Sequence, residues 1–260
     1  MIMSIKVIVS GPRACFTRPE MKAERVSYDV PTPGALEGLL KSVYWKPAMR
    51  YEIDKIVVYH PIVFTNVRRN EVKSKVKFSK MKAQMLEAQK VKEGGQNEII
   101  TDPRIYTNIG DERTQRASMI LKNVRYGVEF HIELTGIRGE RESRECDPLK
   151  KHEAEFIRRC RKGQYFRQPC LGCAEFPADI VLTDHFDREE ISPENVGTRD
   201  LGFMLYKVCF KDGGHPVNDD WKRNIYSDEA ESRFYRPVMQ DGVIDVAKYR
   251  GRCYADQRVK

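Results

Sequence analysis

The sequence predicts an α+β fold with antiparallel strands, and three observations support this prediction. Residues 4–10 are rich in β-branched side chains, which are typical of a strand. Residues 117–134 form a second and longer strand-like run. Between these two runs, apolar side chains recur with the spacing of one buried helical face, at Leu36, Leu39, Leu40 and Val43.

The bounds of this first helix are predicted from residues that start and stop helices. Thr32 is a favourable N-cap residue, and Pro33 suits the first helical position because its missing N–H would have no partner there. Pro47 disfavours helical backbone before it, so the helix is expected to end near Trp45.

The first 67 residues are therefore predicted to follow the order strand, helix, strand, strand. A turn is expected at Gly11–Pro12, and further extended segments are expected at 26–30, 51–59 and 62–67. A β-α-β-β start of this kind suits a ferredoxin-like or RNA-recognition-motif core.

The middle of the chain is predicted to contain a basic insertion. Residues 67–92 hold nine Lys or Arg and two Glu, and they are expected to form a mobile basic loop, helical around 80–90. Residues 117–134 form either one long strand or two strands with a kink at Gly127. A helix is predicted over 149–162.

The C-terminal region, residues 178–260, is predicted to consist of short strands. Turns are expected at Gly213–Gly214 and at Asp241–Gly242. Because Asp-Gly fits a two-residue type I′ turn, residues 233–239 and 243–246 are expected to pair as a hairpin.

Composition favours an acidic partner. The 260 residues carry a net charge of +8 and the pI is about 9.0, so nucleic acid is the first expectation and an anionic membrane surface the second. No signal peptide or membrane span is predicted. Seven cysteines cannot all pair within one chain, and they are interpreted as reduced thiols of a cytoplasmic protein.

Two basic segments are candidate phosphate-binding surfaces. The first is the 67–92 insertion, which begins with Arg68 and Arg69. The second runs along the predicted helix and just past its end. It comprises Lys150, Lys151, Arg158, Arg159, Arg161, Lys162 and Arg167. For both segments the alternative is a solvated surface that keeps the protein soluble.

His152 is the histidine best placed for chemistry. It follows Lys151 at the start of the basic helix, where an imidazole can exchange a proton near neutral pH and the lysine can stabilise a negatively charged transition state. The alternative is a solvated helix start. His60 and His131 lie in apolar strands and are interpreted as structural.

Other catalytic motifs are weak. Cys170-Leu-Gly-Cys173 has two of the four ligands that a structural zinc needs, and a turn is the preferred interpretation. Asp184, Asp187, Glu189 and Glu190 are close in sequence but are interpreted as a solvated loop and not as a two-metal site. The sequence contains no phosphate-binding G-x-x-x-x-G-K-[ST] motif. An enzyme with this sequence is therefore expected to work without a metal or nucleotide cofactor.

Several segments, taken together, resemble one family. They are Y-D-V-P-T-P-G-A-L-E-G at 28–38, S-V-Y-W-K-P at 42–47, Lys151-His152, Q-P-C-L-G-C-A-E-F at 168–176, D-L-G-F-M-L-Y at 200–206 and F-Y-R-P-V-M-Q-D-G-V-I-D at 234–245. This pattern resembles the type I-C form of the fifth family of Cas proteins, a member of the RAMP superfamily.

The resemblance implies a fold, an activity and partners. The fold would be a ferredoxin-like domain over 1–177, with a basic insertion at about 67–102, and a β-rich C-terminal region over 178–260. The activity would be metal-independent cleavage of the CRISPR repeat hairpin. The product's 5′ handle would stay bound in a type I-C Cascade complex beside the backbone and large subunits.

The resemblance also implies roles for individual residues. Tyr44, Lys151 and His152 match the positions implicated in cutting, although Lys150 could supply the lysine instead. The ribose 2′-OH would attack the adjacent phosphate and leave a 2′,3′-cyclic phosphate. Candidate RNA-binding residues are Lys46, Arg68, Arg69, Lys150, Arg158, Arg159, Arg161 and Lys162.

Two alternatives remain open at this point. The protein could be a non-catalytic Cascade subunit that binds the handle, or a general RNA-binding protein outside CRISPR systems. For Tyr44 the alternative is an aromatic side chain at a helix end, packed on the core.

Overall fold

The computed structural model describes residues 3–21, 24–73, 78–93, 110, 112–135, 148–210 and 227–255. Within them the helices are α1 (Pro33–Val43), α2 (Phe78–Glu93) and α3 (Pro148–Arg161). The strands are β1 (Ile5–Ala14), β2 (Arg25–Val26), β3 (Met49–Val58), β4 (Phe64–Val72), β5 (Arg113–Leu134), β6 (Asp179–Leu182), β7 (Thr198–Asp200), β8 (Met204–Phe210), β9 (Ala230–Tyr235), β10 (Val238–Gln240), β11 (Val243–Asp245) and β12 (Tyr254–Ala255).

The bounds of α1 confirm the prediction from its capping residues. The Thr32 hydroxyl accepts a hydrogen bond from the backbone N–H of Ala35 at 3.2 Å, and Pro33 is the first helical residue. The helix ends at Val43, and the next residue, Tyr44, already has extended backbone. The chain therefore leaves the helix at the Y-W-K-P segment.

Most strands of the described residues belong to one sheet. Its order is β6-β1-β5-β3-β11-β10-β7, and both β2 and β4 also pair with β5. The neighbouring strands along this order are antiparallel. The predicted α+β class with antiparallel strands is confirmed.

The first strand is longer than predicted. The expected turn at Gly11–Pro12 is wrong, because β1 stays paired with β5 on both sides of it, at Gly11 with Val124 and at Arg13 with Lys122. Opposite Pro12, which has no N–H to donate, Asn123 adopts a positive φ of 50°. The unusual backbone conformation of Asn123 therefore accommodates Pro12, and β1 and β5 remain paired on both sides of it.

Aromatic side chains join α3 to one face of this sheet. Phe156 of α3 contacts Phe130 of β5 and Tyr51 of β3, edge to face, with ring centroids 5.2 and 5.7 Å apart. All three are fully buried, and burial of such a side chain contributes about 1.5–3 kcal/mol. This cluster fixes α3 over the centre of the sheet.

The C-terminal region contains the predicted Asp241–Gly242 turn. Both residues have positive φ, 48° and 72°, and the turn joins β10 to β11, which confirms the hairpin. The first arm is shorter than predicted, because residues 233–239 divide at Pro237 between β9 and β10. The predicted turn at Gly213–Gly214 lies outside the described residues. A second sheet has the order β12-β9-β8.

The chain forms two compact units, one of residues 1–65 with 119–260 and one of residues 66–118. The second unit holds the whole basic insertion. The predicted helix around 80–90 is confirmed by α2, whereas the start of the insertion is a strand instead of a loop, because β4 extends to Val72. The division after residue 177 stays a prediction.

No described helix combines the length and the apolar character that crossing a membrane requires.

Candidate active site

The end of α1 and the first half of α3 bring together two residues that are 108 positions apart. The hydroxyl oxygen of Tyr44 lies 2.9 Å from Nδ1 of His152, a hydrogen-bond distance, and the two ring centroids are 5.8 Å apart. The donor depends on the tautomer of the imidazole. A phenol and an imidazole joined in this way can pass a proton between them.

Tyr44 is held on its backbone side by a second tyrosine. The Tyr51 hydroxyl donates a 2.6 Å hydrogen bond to the backbone carbonyl of Tyr44. Tyr51 is fully buried, and this burial raises the pKa of its hydroxyl well above the ordinary range, so the hydroxyl stays protonated as a donor. The segment after α1 is therefore anchored to β3 through the backbone of Tyr44.

Arg159 of α3 lies over the Tyr44 ring. Its guanidinium carbon is 5.2 Å from the ring centroid, and one guanidinium nitrogen donates to the carbonyl of Val43 at 3.5 Å. Arg159 was predicted as an RNA-binding residue, and the structure places it half-buried against the site instead of on the open surface. A cation over the ring stabilises its negative face.

Glu155 fixes the arginines of α3. It accepts hydrogen bonds from Arg158 at 2.8 and 2.9 Å and from Arg159 at 2.7 Å. These bonds, first from Arg158 and then from Arg159, lower the pKa of the Glu155 carboxyl to about 2. The carboxylate is therefore ionised over the whole neutral range and holds Arg159 in its position over Tyr44.

The Tyr44–His152 pair is buried. Tyr44 is 5% exposed and His152 is 1% exposed. Lys150 and Lys151, which precede His152 on the helix, are both exposed. The structure thus joins Tyr44 to His152 and turns the adjacent lysines toward solvent.

The other predicted RNA-binding residues fall into two groups. Lys46, Arg158, Arg161 and Lys162 are exposed in the first unit, and the last three line a shallow depression of about 410 Å³ on α3, together with Ala154 and Ile157. Arg68 and Arg69 lie on β4 in the second unit. Arg68 is exposed, whereas Arg69 is half-buried and donates to the Ser118 hydroxyl at 3.3 Å.

Neither Tyr51 nor Glu155 was predicted from the sequence as part of the site. The spacing of Glu155 with Arg158 and Arg159, three and four residues on, is a helical ion-pair pattern that the sequence does contain. The role of Tyr51 has no local signal, since it depends on how β3 packs under α1.

The C-x-x-C segment forms a tight turn. Cys170 pairs with Pro177 in an isolated bridge, and the N–H of Leu171 donates to the carbonyl of Phe176 at 2.8 Å. In the part of the chain that the structure describes, no three His, Cys, Asp or Glu side chains are grouped closely enough to hold a metal ion.

Comparison with known proteins gives relatives along most of the chain. A family model described as CRISPR-associated protein matches residues 4–247. The CRISPR pre-crRNA endoribonuclease Cas5d of Mannheimia succiniciproducens is 40% identical over 247 residues, which are 94% of this chain and 95% of that protein. The protein of the same name from Thermus thermophilus is 37% identical over 213 residues, 82% of this chain and 76% of that protein.

A solved structure shares the fold. The crystal structure of a CRISPR-associated protein matches with a TM-score of 0.56 at 24% identity, covering 94% of this chain and 91% of that one. The resemblance predicted from the sequence motifs is confirmed by the family model and by both relatives. The chain belongs to the Cas5d family of CRISPR-associated proteins.

Proposed function

We propose that this protein is an endoribonuclease that cleaves pre-crRNA within its CRISPR repeat hairpins. The observation that carries the proposal is the Tyr44–His152 hydrogen bond at the start of a basic helix. The chain that holds this pair is 40% identical to a relative named as a pre-crRNA endoribonuclease.

The proposed reaction uses the nucleophile that RNA itself carries. The ribose 2′-OH loses its proton, its oxygen attacks the adjacent phosphorus, and the 5′-oxygen leaves and takes up a proton. The products are a 2′,3′-cyclic phosphate and a 5′-hydroxyl. No metal or nucleotide cofactor takes part in these bond changes, and the proposed enzyme is metal-independent.

Three side chains divide the work in this proposal. His152 accepts the proton from the 2′-OH or donates one to the leaving oxygen, and Tyr44 orients the imidazole through its 2.9 Å hydrogen bond. The exposed ammonium of Lys151 neutralises charge on the phosphate in the transition state, with Lys150 as the alternative.

Burial of the pair adds one requirement. His152 is 1% exposed in the protein without RNA, so its ring contacts a ribose only after the residues that cover it are displaced. We infer that RNA binding supplies this displacement. The exposed cations of α3 and Lys46 supply the phosphate contacts that drive it.

We also propose that the first part of the fold is ferredoxin-like. The supporting observation is the chain order β1-α1-β3-β5-α3-β6, combined with the sheet order β6-β1-β5-β3 and antiparallel pairing throughout. Residues 178–260 form the proposed β-rich C-terminal region.

The proposed partners follow from family membership. After cleavage the protein would hold the 5′ handle of the crRNA and contact the backbone and large subunits of a type I-C Cascade complex. The exposed cations proposed to contact the hairpin could also hold the cleaved product, because cleavage leaves the phosphates that they contact in place. A cytoplasmic location without a membrane partner stays a prediction.

One observation favours a second candidate function, a subunit that binds the crRNA handle without cutting it. His152 is 1% exposed and hydrogen-bonded to the buried Tyr44. Such a pair can also serve only to stabilise the fold. The two functions share the same surface and differ only in whether His152 reaches the RNA.

The test is cleavage and binding of the cognate repeat hairpin RNA in EDTA, comparing the wild type with His152→Ala. His185→Ala, in an exposed loop, is the control. We expect the wild type and the control to cut, and His152→Ala to bind with similar affinity and not to cut. The same assay is repeated in a buffer with Mg²⁺. Tight binding without cutting by any of the three in either buffer would establish the handle-binding function, whereas cutting in Mg²⁺ but not in EDTA would refute metal independence.

A further inference from the structure

The loop after α3 presents an aromatic ring to solvent. Phe166 is 84% exposed, compared with 78% for Phe78, the next highest value among the large hydrophobic residues that the structure describes. A single exposed aromatic ring is ordinary on a protein surface and carries no inference alone. Three further features distinguish this one.

The first feature is that its backbone is fixed. The N–H groups of Phe166 and Arg167 both donate to the carbonyl of Ser42, at 2.8 and 3.4 Å. On the helix side, the N–H of Gln164 donates to the Arg159 carbonyl at 2.9 Å. The exposed ring therefore stands on a tethered segment, so little conformational entropy is lost when a ligand packs on it.

The second feature is the position of the tether. Ser42 precedes Tyr44 by two residues, and the Tyr44 hydroxyl bonds to His152. The Phe166 loop and the proposed cleavage pair are therefore attached to the same end of α1. Trp45, the residue after Tyr44, is 45% exposed and adds a second aromatic ring to this end of the helix.

The third feature is the charge around the ring. Residues 158–167 contain five Lys or Arg and no acidic residue. Glu155 pairs with Arg158 and Arg159, whereas no carboxylate among the described residues pairs with Arg161, Lys162 or Arg167. Three cations without a carboxylate partner among the described residues thus lie within five positions of Phe166 along the chain. A polyanion can contact them without displacing salt bridges of the described residues.

An aromatic ring among cations matches single-stranded RNA better than it matches a protein partner. Unpaired bases stack on aromatic side chains while neighbouring cations contact the phosphates. A protein interface would require a contiguous apolar patch, but the chain neighbours of Phe166 are Tyr165, which is half-buried, and the exposed, charged Arg167.

We propose that Phe166 is a base-stacking residue that holds an unpaired nucleotide of the repeat RNA beside the phosphate to be cut. The proposal rests on the RNA-cleaving function proposed above. Stacking fixes the nucleotide relative to the end of α1, and the adjacent cations contact its phosphates. Phe166 is thus a binding and positioning residue and takes no part in proton transfer.

The experiment uses the full chain and the cognate repeat hairpin, with a 2′-deoxy sugar at the cleaved position. The fluorescent base 2-aminopurine replaces each unpaired base next to that position in turn. Phe166→Ala and Phe166→Trp are compared with the wild type, and Phe210→Ala, which removes another exposed phenylalanine in β8, is the control.

We expect the wild type to quench 2-aminopurine at one position, and Phe166→Ala to lose the quenching and to bind about five- to a hundredfold more weakly. Phe166→Trp and Phe210→Ala should behave like the wild type. Unchanged quenching and affinity in Phe166→Ala would overturn the proposal and leave a protein contact as the role of this ring.

The two proposals fail in different ways. A wild type that cuts the unmodified repeat while Phe166→Ala binds it equally well overturns stacking alone. A wild type that binds and quenches without cutting the unmodified repeat supports stacking and overturns the cleavage function. A wild type that does not bind the hairpin overturns both.

Discussion

At the scale of single residues, Tyr44 combines two roles that the sequence could only offer as alternatives. Its ring is buried at the end of α1, as a core aromatic would be, and its hydroxyl bonds to His152. A buried hydroxyl is costly without a partner, so packing and hydrogen bonding support each other at this position. The cation–π contact with Arg159 also holds the ring.

Replacing Tyr44 by Phe separates the two roles, because the ring remains and the hydroxyl is removed. We expect the cleavage rate on the repeat hairpin to fall by about a hundredfold or more, since the imidazole loses the group that orients it. The free energy of unfolding should fall by about 1–3 kcal/mol, because Nδ1 of His152 loses its buried partner. Single-turnover cleavage and urea unfolding measure the two effects.

Tyr235→Phe is the matched control for this change. The Tyr235 hydroxyl is also buried but has no hydrogen-bond partner among the described residues, so its removal should leave the rate close to that of the wild type and should not lower the free energy of unfolding. Equal cleavage rates in the two variants would show that the Tyr44 hydroxyl has no part in the reaction.

At the scale of elements, the C-x-x-C turn functions as a structural clamp on β1. The N–H of Cys15, directly after β1, donates to the carbonyl of Leu171 at 3.0 Å, and the Leu171 side chain is fully buried. Gly172 lies against the same strand end, with a φ of 84°. Between the two cysteines, the backbone of Gly172 approaches the backbone of Cys15 so closely that only glycine fits at this position.

Gly172→Ala should destabilise the protein by at least about 3 kcal/mol. A Cβ atom at this position would overlap the carbonyl oxygen of Cys15, which is backbone and cannot rotate away, and the positive φ adds strain. The shift of the urea midpoint, at an unchanged slope, measures the loss of stability.

Gly163→Ala, at the end of α3, isolates the backbone strain. Its φ is 60°, and a Cβ atom there would meet nothing within 4 Å, so we expect the free energy of unfolding to fall by only about 1–2 kcal/mol. If the two variants were destabilised equally, the close approach of the turn to β1 would not contribute.

At the scale of the whole molecule, charge is distributed very unevenly. The net charge is +8, and residues 67–92 hold nine Lys or Arg against two Glu. The remainder of the chain is therefore nearly neutral, apart from local clusters such as that on α3. Binding of a polyanion to this protein is expected to depend on salt through the basic insertion more than through the net charge of the rest of the chain.

Lys73→Gln combined with Lys82→Gln tests this expectation, since both lysines are exposed in the insertion. We expect the plot of log affinity against log salt for the repeat hairpin to become less steep by about 1 for each RNA phosphate that a lysine no longer neutralises. Lys122→Gln with Arg199→Gln removes the same charge from exposed positions elsewhere and should leave the slope nearly unchanged. Equal changes in both pairs would mean that only net charge matters.

The sequence by itself determined the features that act over a few residues. Thr32 and Pro33 start α1 because a side-chain acceptor and a fixed φ operate locally, and Asp241–Gly242 forms its turn for the same reason. The position of Lys151 and His152 at the start of a basic helix made them candidates, and the family motifs added Tyr44. These signals need no knowledge of how distant segments pack.

Only the tertiary structure decided the relations between distant residues. Two hydrogen bonds join segments that are more than a hundred residues apart: that of Tyr44 with His152 and that of Phe166 with Ser42. The burial of Tyr44 and His152 likewise depends on distant segments. Such relations depend on strand order and on how helices pack over the sheet, which no local pattern encodes. The path of β1 through Gly11–Pro12 was mispredicted for this reason, since the pairing energy of the neighbouring strand outweighed the local preference for a turn.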